Sequence, residues 1–133
     1  MNYEQLFERN YGVFSAEEQA RIRSAKVVIV GTGGTGGVVA TVLARSGVEH
    51  FVLYEHDIYT PSNMNRQIGC FTDTLGISKG EVIKDTLLRI NPAAQIELDA
   101  RAITEDEMDQ VILQGDVIVP CADDWPLSMN LLG

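Results

Sequence analysis

The chain has 133 residues, a formal net charge of -9, and a composition that is 45% hydrophobic and 22% charged. That length carries one compact domain with a sizeable core, and the acidic balance excludes nucleic-acid binding through bulk electrostatics. No apolar run approaches the roughly 20 residues of a membrane span, and the polar Met1 to Asn10 segment lacks a signal-peptide core; the expectation is a cytoplasmic protein with no membrane partner.

Ser15-Ala16-Glu17-Glu18 is a capping-box pattern and predicts a short helix through about Ser24, ahead of a first strand at Lys26 to Val30. Residues 1–24 therefore read as an ordered helical arm. The strand runs directly into Gly31-Thr32-Gly33-Gly34-Thr35-Gly36-Gly37, after which Val38, Val39, Val42 and Leu43 recur at helical spacing up to a stop at Gly47. His50 to Glu55 predicts a second strand ending in acid, and Pro61 to Gly76 a long polar loop, a feature that in a compact domain is usually functional. Ser78 caps a helix with Val82, Ile83, Leu87 and Ile90 on one face, and Asn91-Pro92 ends it. Gln95 to Ala100 alternates as a third strand. Thr104 to Glu107 is a second capping box before Met108, Val111 and Ile112, with a stop at Gly115, and Asp116 to Val119 forms a fourth strand.

This alternation predicts an α/β fold: a Rossmann-like, doubly wound, mainly parallel sheet with right-handed crossovers, incomplete at the C-terminus of the chain. Ligands bind such sheets outside the carboxyl ends of the strands. Four groups converge there: Gly31 to Gly37 after the first strand, Glu55 and Asp57 after the second, the loop carrying Arg66, and Asp123-Asp124 after the fourth. The spacing Gly31-x-Gly33-x-x-Gly36 suits a nucleotide-phosphate cradle, in which glycines allow a tight turn, close phosphate approach and close helix packing. Glu55, or Asp57 beside it, stands where a carboxylate accepts hydrogen bonds from ribose hydroxyls; His56 between them has no role in this reading. Cys70 and Cys121 are isolated from each other and from histidine, which gives no zinc pattern and reads as two small buried apolar residues.

Ser62-Asn63-Met64-Asn65-Arg66-Gln67, followed by Gly76-Ile77-Ser78-Lys79 and Ile90-Asn91-Pro92, resembles the ubiquitin-activating-enzyme family of the ThiF, MoeB and HesA type, and the glycine turn, Glu55 and Asp123 fall in that family's order. The resemblance covers nearly the whole chain. It implies that 1–133 is an ATP-binding adenylation domain using ATP and Mg2+ to activate a carboxylate, most often the C-terminus of a ubiquitin-like or sulfur-carrier protein, as an acyl-adenylate with release of pyrophosphate. Carried over residue by residue, it puts Gly31, Gly33, Gly34 and Gly36 at the phosphates and Glu55 at the ribose. Ser62, Asn63, Asn65, Arg66 and Lys79 fall along the phosphate chain, with Asp123 on magnesium and Asp124 beside it. Arg66, Lys79 and Asp123 would be the catalytic set, and Arg9 an arm residue reaching a partner subunit. A homodimer or a partner subunit is implied as well.

Two positions depart from the family pattern: Asp124 stands where asparagine is common, and Pro120 where an acid is common. The family's carrier-tail groove, its zinc site and its thioester cysteine lie past Gly133, so Cys121 does not match the last of these. Adenylation of a small or tRNA-borne carboxylate stays open, the one setting in which a nucleic acid enters as substrate. So do an NAD-binding dehydrogenase fragment, which the glycine turn and Glu55 would suit, and a noncatalytic subunit of an activating heterodimer.

Overall fold

The computed structural model describes residues 1–122. Four strands, β1 (Lys26–Val30), β2 (His50–Tyr54), β3 (Gln95–Asp99) and β4 (Val117–Pro120), form one sheet in the order β3-β2-β1-β4. Every pairing is parallel, with Val28 opposite Val52 on one side and Ile118 on the other. The longer helices are α2 (Ala16–Ser24), α3 (Gly36–Ser46) and α4 (Lys79–Ile90), with short α1 (Tyr3–Leu6) and α5 (Met108–Ile112). Among the described residues no helix is long and apolar enough to cross a membrane.

Side chains alternate across a strand, and here the alternation divides the interior in two. Val27, Ile29, Phe51 and Leu53 pack with Ala40 and Ala44 of α3 and Ile83 and Leu87 of α4. Val28, Val30, Val52 and Tyr54 face the other way, onto Met108 and Val111 of α5. Helices thus cover both faces, which is the doubly wound arrangement expected. Burying each of these aliphatic side chains contributes roughly 1.5–3 kcal/mol.

The arm is ordered and has a defined task. Tyr3 Oη donates to the Gly47 carbonyl at 2.7 Å, while Gln19 Nε2 and Asn10 Nδ2 each donate to the Ser46 carbonyl at 2.9 Å. These bonds satisfy carbonyls that the C-terminus of α3 leaves without helical partners. Arg23 lies 4.2 Å from the Tyr3 ring centroid and pairs with buried Glu49 at 2.7 Å, whose other oxygen accepts from Asn91 Nδ2 at the end of α4.

Two local expectations are corrected. The buried face of α3 is the small one, Gly36, Gly37, Ala40, Thr41 and Ala44, whereas Val38 and Val42 are exposed; small side chains let the helix axis approach the sheet, and the valines are turned outward by that approach. The Thr104 box does not close: Thr104 makes no cap bond to the backbone, residues Glu105–Glu107 form a 3-10 turn, and the Glu107 carboxylate accepts from the Thr104 hydroxyl at 3.1 Å and from Arg101 at 3.1 and 2.8 Å instead of from the Thr104 backbone.

Candidate functional site

The glycine turn is shaped from below by close approaches. Gly31 has φ +94°, and a Cβ there would lie 2.7 Å from the Cys121 carbonyl oxygen after β4; a Cβ on Gly36 would lie 1.7 Å from the Gly31 carbonyl oxygen. Only glycine fits either place. Buried Thr32 then donates from its backbone N–H and its hydroxyl to Glu55 Oε1, at 2.7 and 3.1 Å. Glu55 Oε2 accepts from the N–H groups of His56 and Asp57. The carboxylate that sequence reasoning placed at a ribose is thus also the clamp that sets the turn.

With Thr32 held, the N–H groups of Gly33, Gly34 and Thr35 donate to nothing among the described residues. The first turn of α3 behind them carries no acidic residue and no side-chain cap. An uncapped helix N-terminus with free N–H groups favours an anion.

Two cations stand against this turn. Lys79, the first residue of α4, is only 5% exposed, lines the same pocket as Gly33 and Glu55, and has no carboxylate within ion-pair distance among the described residues. Its ammonium sits 5.9 Å from the Tyr59 ring centroid. A buried ammonium without a counter-charge is costly, and among the described residues no carboxylate offsets this one. Arg66 is exposed; its stem passes over Gly34, with Cγ 3.8 Å from where a Cβ would be, and its Nη1 donates to the Ser62 carbonyl at 2.9 Å and Asn65 Oδ1 at 3.1 Å. It too lacks a carboxylate partner among the described residues.

The remaining loop residues divide by what they touch. Ser62 and Asn65 hold Arg66 and do not line the pocket. Asn63 is buried, with Oδ1 accepting from the Thr60 N–H and hydroxyl, which leaves its amide N–H groups for another acceptor. Gln67 was inside the quoted motif without a role; it is buried against Gly33, and its Oε1 has no partner among the described residues.

The pocket itself is about 310 Å³ and continues past Glu55 to His56, Asp57, Arg101, Ala102 and Ile103, a size suited to a small ligand. Sequence reasoning missed the last three. The signal was present: they follow directly on β3, whose carboxyl end lies on the same sheet edge as the other groups. Asp57 is exposed, 3.6 Å from His56 Nε2. Arg101 is held by Asp99 and Glu107; its N–H bonds keep both carboxyls below the usual range, the backbone N–H bond leading at Asp99 and the side-chain bond at Glu107. Burial pushes the Cys121 thiol up, and the half-buried side chain forms part of the pocket wall. Asp123 and Asp124 lie outside the described residues. Among the described residues no cluster of three or more His, Cys, Asp or Glu is placed to hold a metal.

Comparison with known proteins adds an independent line. Residues 7–132 match the model of the ThiF family. A tRNA threonylcarbamoyladenosine dehydratase from Haemophilus influenzae is 29% identical over 132 residues, covering 98% of this chain and 51% of that protein. Ubiquitin-like modifier-activating enzyme 5 of Caenorhabditis elegans is 36% identical over 123 residues, covering 84% of this chain and 29% of that protein. The crystal structure of E. coli tRNA N6-threonylcarbamoyladenosine dehydratase in complex with ATP superposes with a TM-score of 0.91 at 26% identity, covering 96% of this chain and 53% of that one. The chain spans about half the length of the dehydratase it matches, and less of the activating enzyme.

Proposed function

This chain belongs to the ThiF family, and from that premise we propose that it is an adenylating domain, which binds ATP and transfers AMP to a carboxylate. The observation that carries the proposal is Lys79: buried, without a carboxylate partner among the described residues, and lining the same pocket as Gly33, whose N–H has no acceptor among the described residues. Those features fit a polyphosphate. A dehydrogenase fragment would have no use for a second cation, Arg66, laid over Gly34.

In this reaction an ionised carboxylate oxygen attacks the α-phosphorus, the bond to the bridging oxygen breaks, and pyrophosphate leaves with the electron pair. Carboxylates are already ionised at neutral pH, so no general base is needed. The problem is repulsion between anions, and Lys79 as a point charge, Arg66 as a planar fork and the turn's N–H groups offset it. Glu55 and Asp57 border the ribose, Asn63 offers its amide to the phosphate chain, and Ser62 and Asn65 aim Arg66. Magnesium, when bound, would neutralise phosphate charge; its proposed ligand is Asp123, with Asp124 beside it.

The substrate carboxylate we assign first is the C-terminus of a ubiquitin-like or sulfur-carrier protein, in a cytoplasmic setting. A tRNA-borne carboxylate is the second reading, favoured by the likeness to the tRNA dehydratase over 98% of the chain. A homodimer or partner subunit belongs to both. Exposed Arg9 sits at the far end of α3, next to Asn10, which bonds Ser46; α3 alone is about 16 Å long, so Arg9 would serve a neighbour's pocket rather than its own.

Calorimetric titration with ATP and with NAD, each with and without Mg2+, tests the reading. Magnesium-dependent ATP binding is expected, weakened at least about tenfold in Lys79→Met and Arg66→Ala, in line with the loss of a charge-assisted contact. Binding of NAD alone, or ATP affinity unchanged in both variants, would overturn it.

A further inference from the structure

In the sheet order β3-β2-β1-β4 the glycine turn follows β1, Glu55 follows β2, and Arg101, Ala102 and Ile103 follow β3, so these three line the pocket on the side of Glu55 away from the turn and have no assigned ligand group. Arg101 is held in an unusual way there. Its Nε donates to both oxygens of Asp99 at 3.1 Å, Nη1 donates to Glu107 Oε1 at 3.1 Å, and Nη2 reaches Glu107 Oε2 at 2.8 Å and Asp99 Oδ2 at 3.0 Å. Both edges of the guanidinium are thus committed to carboxylates. The side chain as a whole is nevertheless 64% exposed, and with both edges engaged the guanidinium surface left to meet a ligand is its flat face.

A guanidinium with its donors engaged and its plane fixed is a stacking surface for an aromatic ring. Two carboxylates also cancel its charge, so this arginine has little to offer a phosphate. Placed at the end of the pocket opposite the phosphate cradle, beyond the ribose carboxylates, it lies where a nucleobase would end. We infer that Arg101 is the stacking residue for the base of the bound nucleotide, and that Asp99 and Glu107 are positioning residues that hold its plane. This rests on the nucleotide reading above and extends it to a residue that the family motifs do not include.

The test separates base from phosphate. Binding of ATP and of inorganic tripolyphosphate, both with Mg2+, is measured for the unmodified chain and for Arg101→Ala, Arg101→Lys and Lys79→Met. Arg101→Ala and Arg101→Lys should each weaken ATP about tenfold and leave tripolyphosphate unchanged, since lysine keeps the charge but not the plane; Lys79→Met should weaken both. Glu107→Gln should give a smaller loss for ATP alone. If Arg101→Lys binds ATP as the unmodified chain does, charge and not stacking is at work and the inference fails. It fails also if either Arg101 variant weakens both ligands equally. An unmodified chain that binds neither ligand would instead overturn the nucleotide reading on which the inference stands.

Discussion

At the scale of single residues, the site is organised by polar groups whose partners are missing or doubled. Lys79 has no carboxylate partner among the described residues and Glu55 has four protein donors. Tyr59 is 1% exposed with a hydroxyl that has no partner among the described residues, and burial pushes its phenol up to about 12 from an ordinary 10. A raised value means that the folded state holds the proton more tightly. The associated stability is whole below pH 10 and is lost as pH rises from about 10 to about 12. Tyr59→Phe should therefore be neutral or stabilising at pH 7, because it removes an unpaired buried hydroxyl, and should flatten the loss of stability across that alkaline window. Urea unfolding at pH 7, 10 and 11 checks this; a variant that is less stable at pH 7 and declines as steeply would contradict it. Residue type and spacing made Glu55 and the loop carrying Arg66 legible as candidates, and the family resemblance added Lys79. That Lys79 is buried and that Glu55 clamps Thr32 were not legible, because both depend on how the loop before α4 folds over the sheet edge.

At the scale of elements, helix starts were legible where a side chain could reach its own backbone and illegible where a distant residue competed for it. Ser15 and Ser78 cap as their sequences suggest, accepting from Glu18 N and Glu81 N. At Thr104 the two side chains bond each other, and Glu107 is shared with Arg101, so neither caps the backbone. The face of α3 was misread for a related reason: hydrophobicity pointed to the valines, but close approach to β1 selects the small residues. Gly36 is where that approach is tightest, so Gly36→Ala forces a methyl into the Gly31 carbonyl and the Cys121 side chain. We expect a loss of about 3 kcal/mol or more, at or above the usual range for overpacking. A melting temperature lower by roughly 10 °C would follow. A melting temperature within 2–3 °C of the unmodified chain, on the order of 1 kcal/mol or less, would show that α3 can shift to make room.

At the scale of the molecule, the parallel order β3-β2-β1-β4 brings three strand ends, the glycine turn and the start of α4 to one rim, and that convergence was readable from the strand–helix alternation alone. The surface was not: Val38, Val42, Met64, Ile68 and Phe71 are exposed apolar side chains on α3 and the loop before α4, where the loop had read as polar. Apolar surface of this kind is commonly covered by association. Sedimentation of the chain over a wide concentration range should show a dimer, and Val42→Glu with Phe71→Glu should shift it to monomer. A monodisperse monomer at high concentration would remove the homodimer from the proposal.

The register of β1 has a bearing on how the chain is made. Its N-terminal end is tied to Asp116, 90 residues further on, and the floor of the glycine turn is the carbonyl of Cys121. During synthesis β2 and β3 can join β1 early, but the turn cannot take its final shape until β4 has left the ribosome and paired. Until then β1 is an open edge, the kind that invites wrong partners. The last described strand completes the first loop, so the nucleotide of the proposed function would recognise only the finished sheet, and its binding would favour the late folding step over its competitors.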